Sequence, residues 1–264
     1  MLLITRNSDC PANGIALATR GPADKRSIAD SKGEAKYFYL YLYDSEKATL
    51  FDSHKSTGTK IDRCPNFTAE FITYVVARLK LAFISDEKGD RVKTFGPEDI
   101  FDYMYALFHS PTYRSRYAEF LKMDFPRLLL TSNLALFRQL CGLGTKLVGL
   151  HLIEKLGPKI TSYPVAGDNT VETVRYTEPG QGAAKGRVWI NKSQYFEGVS
   201  PDVWDFHIGG YQVSRKWLKD RKGRQLTYDD LTNYQNTVST LAETIRLMAE
   251  IDETIDAHGG WPIK

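Results

Sequence analysis

Apolar residues recur at steps of three and four near the C-terminus: Leu231, Tyr234, Val238, Leu241, Ile245, Met248 and Ile255, with Asp252 as the one polar slot in the series. That period predicts a long amphipathic helix from about Thr227 to about Asp256. Its seam should pack inside the chain, docking across the preceding helices through Leu241, Ile245 and Met248. Shorter helical patterns come earlier. Phe67, Phe71, Val75, Leu79 and Ala82 repeat near a helical period, behind Asn66 or Thr68 as the cap. Gly96-Pro97 followed by Glu98 and Asp99 opens a second helix, with acids near its positive end and a stripe of Ile100, Phe101, Met104, Leu107 and Phe108. Ser110-Pro111 stops it, and Thr112 can cap a short third helix through Lys122. Ser132 or Asn133 begins a fourth, with Leu136, Phe137, Leu140, Leu147 and Leu150 on one side and a kink or break expected at Gly142 and Gly144.

Strand patterns occupy the rest. Tyr37 to Tyr43 (YFYLYLY) has high β-propensity and is so uniformly apolar that burial on both faces is expected. Residues 159–226 read as β structure with turns. Val171 to Thr177 alternates, Glu178-Pro179-Gly180-Gln181-Gly182 is a turn, and Arg187 to Asn191 is the return strand of a hairpin. Val203 to Val213 is a further strand region, interrupted at Gly209-Gly210. Residues 1–36 are polar and rich in Gly and Ala, and read as loops or weak strands. The fold class is mixed α/β (α+β). A helical part (66–156) lies beside a β-rich part (157–226), closed by the C-terminal helix and tail (227–264), with N-terminal loops and a strand in 1–65, all in one composite domain.

Composition changes this picture little. The 264 residues are 42% hydrophobic and 25% charged, which suits an ordinary globular core. Cys10, Cys64 and Cys141 form no CxxC pair, which argues against a disulfide framework and a zinc ribbon. No apolar run is long enough for a membrane span, and MLLITRNSDC is too short in apolar residues for a signal peptide, so a cytoplasmic location is expected. Charge is more informative. The net +3 hides a local excess in Ile208–Arg224 (IGGYQVSRKWLKDRKGR), where Arg215, Lys216, Lys219, Arg221, Lys222 and Arg224 face a single acid, Asp220. From Thr227 onward seven acids oppose two bases. Cations held on a scaffold by Tyr211 and Trp217 suit a polyanion, although a solvated turn would look the same.

Catalytic patterns are missing. There is no GxxxxGK[ST] loop, HExxH, GxSxG elbow or Asn/Asp-Pro-Pro-aromatic amine-binding motif. Gly142-Leu143-Gly144 lacks a third glycine and lies in a helical pattern. His54, His109, His151, His207 and His258 have no ligand spacing. Asp24, then Glu34-Ala35-Lys36, echoes a Mg²⁺-dependent nuclease, in degenerate form.

Five blocks carry a wider likeness: YFYLYLYD (Tyr37–Asp44), FGPEDIFDYMYALFHSPTYRSRYAEFLKMDFPR (Phe95–Arg127), LGTKLVGLHLIE (Leu143–Glu154), IGGYQVSRKWLKDRKGR, and the closing helix LTYDDLTNYQNTVSTLAETIRLMAEID. The chain from Tyr37 onward resembles the C-terminal specificity domain of type ISP restriction-modification enzymes and of related helicase-methyltransferase proteins. The resemblance implies a non-catalytic target-recognition module with no cofactor of its own. Its partners would be double-stranded DNA and the methyltransferase, helicase and nuclease modules of a parent enzyme, with no membrane. A block shared across the family cannot read a variable site. Arg215, Lys216, Lys219, Arg221, Lys222 and Arg224 are therefore expected either to grip phosphates or to pack between the β region and the last helix. Base reading is expected from loops, with Gln181, Lys185, Arg187, Asn191, Lys192 and Gln194 in one and Arg6, Arg20 and Arg26 in the poorly matching first 36 residues. The alternatives are a non-catalytic interaction domain of a helicase-like protein and, third, the nuclease with Asp24, Glu34 and Lys36.

Overall fold

The computed structural model describes residues 2–5, 16–21, 35–43, 63–208 and 210–264. At the N-terminus β1 (Leu2–Thr5), β2 (Ala16–Ala18) and β3 (Ala35–Phe38) form an antiparallel sheet in the order β2-β1-β3. Next, β4 (Tyr41–Tyr43) pairs antiparallel with β5 (Arg63–Pro65). The YFYLYLY run is thus two strands in two sheets, broken at Tyr39 and Leu40. It is also not buried on both faces: Phe38, Tyr39, Leu42 and Tyr43 are 41–59% exposed. High β-propensity reports a fit to a pleated surface, and a layer on each side is a separate, non-local requirement.

The helical lobe follows. α1 (Ala69–Leu79) is capped by the Thr68 hydroxyl, which accepts from the Phe71 amide at 3.2 Å. Lys80, in the left-handed region, ends it, so Ala82 leaves the helical series for β6 (Ala82–Phe83), which runs parallel to β7 (Thr94–Phe95). α2 (Pro97–His109) is buried almost all round, beyond the expected stripe, with Tyr103, Tyr105, Ala106 and Leu107 fully inside. α3 (Pro111–Arg116) and α4 (Ala118–Met123) lead to α5 (Leu134–His151), which the Asn133 side chain caps. No break occurs at Gly142 or Gly144; α5 is continuous. A Cβ at Gly144 would sit 1.9 Å from the Asp102 carbonyl oxygen. The glycine lets α5 lie directly on the backbone of α2 rather than bending it.

The β-rich lobe contains β8 (Arg175–Thr177), β9 (Arg187–Trp189) and β10 (Tyr195–Glu197), paired antiparallel in the order β10-β9-β8. The expected strand at Val203 begins instead as one turn of helix, α6 (Pro201–Trp204), because Ser200-Pro201 starts it. The hairpin β11 (His207–Ile208) and β12 (Tyr211–Gln212) then leads into α7 (Val213–Lys219). α8 (Tyr228–Ala257) closes the fold, with Thr227 and Asp230 in a reciprocal capping box.

α8 joins two cores. Tyr234, Val238, Leu241 and Met248 enter the β-rich core with Phe196 and Leu218, and Ile245 lies against the same core. Leu247, Ile251 and Ile255 enter the helical core with Phe101 and Leu140. The docking onto the helices is therefore not through Leu241, Ile245 and Met248. A long helix sandwiched between two layers buries two stripes, and a single apolar series merges them. The polar slot has a function of its own. Asp252 accepts from the Thr112 amide at 2.9 Å, from the Thr112 hydroxyl at 2.7 Å, and from the Ser110 hydroxyl. Ser110, not Thr112, caps α3, accepting from the Tyr113 amide at 2.9 Å. Asp252 thus anchors the α2–α3 corner to α8. Asp252→Ala should lower stability by roughly 1–3 kcal/mol, because it leaves the half-buried donors of that corner without their acceptor; a thermal melt beside the wild type measures it. Among the described residues no helix is long and apolar enough to cross a membrane.

Candidate nucleic-acid interface

The basic block is built on an amphipathic turn. Ser214 and Leu218 of α7 point inward and are buried, and the Trp217 ring lies 5.3 Å from that of Tyr234 on α8. This leaves Arg215, Lys216 and Lys219 on the outer face, exposed. After α7 the chain turns through Gly223, whose φ of 78° belongs to the left-handed region. It then pairs with the segment before the hairpin: Gly223 N–H donates to the Val171 carbonyl at 2.8 Å, and Val171 N–H to the Arg224 carbonyl at 3.0 Å. On the other side of that segment, Glu172 N–H donates to the Ile190 carbonyl at 2.8 Å. Lys222 and Arg224 therefore lie on one flank of residues 170–172, with Lys192 just beyond the other.

The six cations of the block do not share one fate. Arg221 is half-buried. Its guanidinium stacks 3.5 Å from the centroid of Trp217, donates to the Trp217 carbonyl at 3.0 Å, and comes within 3.6 Å of Asp230. The Thr227 amide and hydroxyl, with Arg221 adding to them, hold the Asp230 carboxyl below its usual range. Lys216 pairs with Asp220 at 2.8 Å and lies over the Tyr211 ring. Arg215, Lys219, Lys222 and Arg224 are exposed and make no ion pair among the described residues.

The loop residues divide in the same way. Gln181 and Lys185 are exposed on the turn joining β8 and β9, and Lys192 is exposed beyond β9. Asn191 and Gln194 are buried, contrary to a base-reading role. The Asn191 amide donates to the Thr170 carbonyl at 3.1 Å, and Gln194 bonds Asn169 through both ends of its amide at 2.7 and 2.9 Å. Their donors and acceptors are consumed in fastening the loop. Arg187 is half-buried on the same face of the sheet as Glu197, its Nη2 and Nε donating to one oxygen of that carboxylate at 2.8 and 2.9 Å, with its guanidinium over Tyr195. Arg20 pairs with Glu154 at 2.6 Å. Arg6 and Arg26 lie outside the described residues, as do Asp24 and Glu34 of the nuclease echo; Lys36 is on β3. Among the described residues no group of His, Cys, Asp and Glu side chains could hold a metal ion.

Sequence reading missed Arg175. It is exposed on β8, 4.2 Å over the Trp189 ring, in a cross-strand row set by the pairings Arg175↔Trp189 and Trp189↔Tyr195. Only the register of three strands brings these residues together, so alternation along one strand could not reveal them.

A cavity of about 440 Å³ lies between the lobes, lined among others by His109, His151, Trp217, Arg221 and Asn236. His151 is bonded at both ring nitrogens: Nδ1 to the Tyr105 hydroxyl at 2.6 Å and Nε2 to the Thr244 hydroxyl at 2.9 Å. The Thr244 hydroxyl donates to the Thr240 carbonyl, so its oxygen accepts from Nε2–H. Nδ1 is then the acceptor for Tyr105, and the ring is neutral. Burial, helped by the Arg114 charge, pushes its pKa down to about 4, and burial pushes His109 down as well.

The geometry has relatives of known structure. The cryoEM structure of the DrdV–DNA complex matches 94% of this chain at 17% identity, with a TM-score of 0.65. A nuclease-deletion mutant of the Type ISP restriction-modification enzyme LlaGI, in complex with a DNA substrate mimic, matches 95% at 17% identity and a TM-score of 0.56. The ATP-dependent Type ISP restriction-modification enzyme LlaBIII, bound to DNA, matches the whole chain at 15% identity and a TM-score of 0.56. This chain spans 24%, 21% and 16% of those three. At such identities the likeness shows the fold. No curated protein sequence matches. The model of one family, described as the Type ISP C-terminal specificity domain, matches residues 1–250. With nearly its whole length matched, and with a mixed fold of helical and β-rich lobes joined by α8, the chain belongs to the Type ISP C-terminal specificity domain family.

Proposed function

We propose that this chain is the DNA target-recognition domain of an ATP-dependent restriction-modification enzyme, selecting the duplex site for an adenine methyltransferase and a nuclease carried elsewhere. It does no chemistry of its own. The observation that carries the reading is the set of exposed cations, Arg215, Lys219, Lys222 and Arg224, which make no ion pair among the described residues, on a turn that hydrogen bonds and Trp217 hold in place. Fixed cations meet phosphates without the entropy cost of ordering a loop. Lys216 and Arg221 contribute by shaping the turn. Gln181, Lys185 and Lys192 are the loop residues positioned to meet bases. Exposed Phe38, Tyr39, Tyr43, Phe120 and Met123 fit contact with the neighbouring modules. The free thiol of exposed Cys64 suits a reducing cytoplasm.

Titrating the chain with random-sequence duplex at two salt concentrations tests this reading. Binding should weaken steeply as salt rises, because each neutralised phosphate releases counterions. Binding that ignores salt, or that does not occur, would favour a purely structural domain.

A further inference from the structure

We propose that the outer face of the β10-β9-β8 sheet meets the DNA major groove along its β8 edge, and that Arg175 rather than Arg187 is its base-reading arginine, with the edge of a guanine as partner. The inference rests on the DNA-binding reading and names a residue and base within it.

The two arginines look alike in sequence, each preceding an aromatic or branched strand residue. Their surroundings differ. Arg187 sits on the central strand, where Glu197 neutralises it through Nε–H and Nη2–H and Tyr195 lies beneath it. It is a strut of the sheet. Arg175 sits on the edge strand, is exposed, and makes no ion pair among the described residues. Its guanidinium lies over Trp189, which packs 4.6 Å from Tyr195 and donates its indole N–H to the Thr177 hydroxyl at 3.0 Å. The ring cannot turn away, so it orients the flat fork above it. A fork stacked by one face keeps its N–H groups free in its own plane, as a two-bond contact to guanine O6 and N7 needs.

The edge of the sheet is also accessible. Three strands at about 4.8 Å apart nearly fill a major groove about 12 Å wide, so the β8 edge and its turn are the parts that reach base edges. Gln181 and Lys185 are exposed on its turn. Where the turn re-enters β9 it is clamped at Gly186, where a Cβ would fall 2.0 Å from the Val199 carbonyl oxygen. The turn therefore rises from a fixed sheet, with Arg175 exposed on the edge strand that leads into it.

Selection from a pool of randomised duplexes tests the proposal, using the wild-type chain, Arg175→Lys, Arg175→Ala and Arg187→Lys, with a thermal melt of each. The wild type should select at least one fixed G·C pair. Arg175→Lys keeps the charge but lacks the fork. It should lose roughly tenfold to a hundredfold of the preference at that one pair, with an unchanged melt and salt slope. Arg187→Lys should keep the preference and melt earlier. If Arg175→Lys binds with every preference intact, the proposal fails. It also fails if Arg175→Ala lowers only the salt slope, which would make Arg175 a phosphate contact. Wild-type binding without any preference refutes the proposal but leaves DNA binding standing. If the wild type binds no duplex, both fall together.

Discussion

Replacing Arg215, Lys219, Lys222 and Arg224 together with glutamine should flatten the salt dependence of duplex binding by about three to four units of the log–log slope. Each cation that neutralises a phosphate releases close to one counterion, so four lost contacts add up. A fourfold rise in salt would then cost the variant roughly a hundredfold less affinity than it costs the wild type. All sequences should weaken alike, since phosphates are identical at every step and base edges are not. The fold should be undisturbed, because none of the four makes an ion pair among the described residues and all are exposed. Arg221→Gln is the contrasting control. It removes the stack on Trp217 and the charge beside Asp230, so it should lower the melting temperature. Binding isotherms at several salt concentrations, with melts alongside, separate the two behaviours. A quadruple variant that binds as the wild type does but melts early would assign the whole block to packing.

Acid should destabilise the protein by roughly 3 kcal/mol through His151 alone between pH 6.5 and pH 4. The direction follows from proton counting. In the fold the ring stays neutral down to about pH 4, while an unfolded histidine takes its proton near pH 6.5. Within that window the unfolded state binds more protons, so stability falls as pH falls. Protonation would make Nδ1 a donor facing the Tyr105 hydroxyl, and would place a charge beside the buried Arg114. His109, packed 5.3 Å from His151 ring to ring, acts in the same direction. Glu98 and Asp102, raised by burial, oppose both, because they take up protons in the fold before they do so unfolded. A comparison with His151→Gln isolates the single group. Urea denaturation at pH 7, 6, 5 and 4 should give a shallower pH slope for the variant, by about 1 kcal/mol per unit. Equal slopes would mean that His151 titrates in the fold as it does in the unfolded chain.

Much of the fold was legible in the sequence because its signals are local. Thr227 and Asp230 set the start of α8 through bonds spanning three residues, and Thr68 and Asn133 do the same for α1 and α5. Period alone placed the long helix, and shared blocks placed the chain in its family. The basic block was visible as charge. What only the tertiary structure decided is which of those charges is free. Arg221 and Lys222 are neighbours in sequence, yet one is stacked on Trp217 and the other is in solvent. Arg187 is neutralised by Glu197 across a strand pair while Arg175 has no such acid among the described residues, and Asn191 and Gln194 are turned inward to hold Thr170 and Asn169. The same holds for exposed Tyr39 and Tyr43, for Gly144 against Asp102, and for Asp252 reaching a corner 140 residues earlier in the chain. Caps and periods depend on residues three or four apart, which the sequence places side by side. Burial and ion pairing depend on residues that only folding brings within a few ångströms.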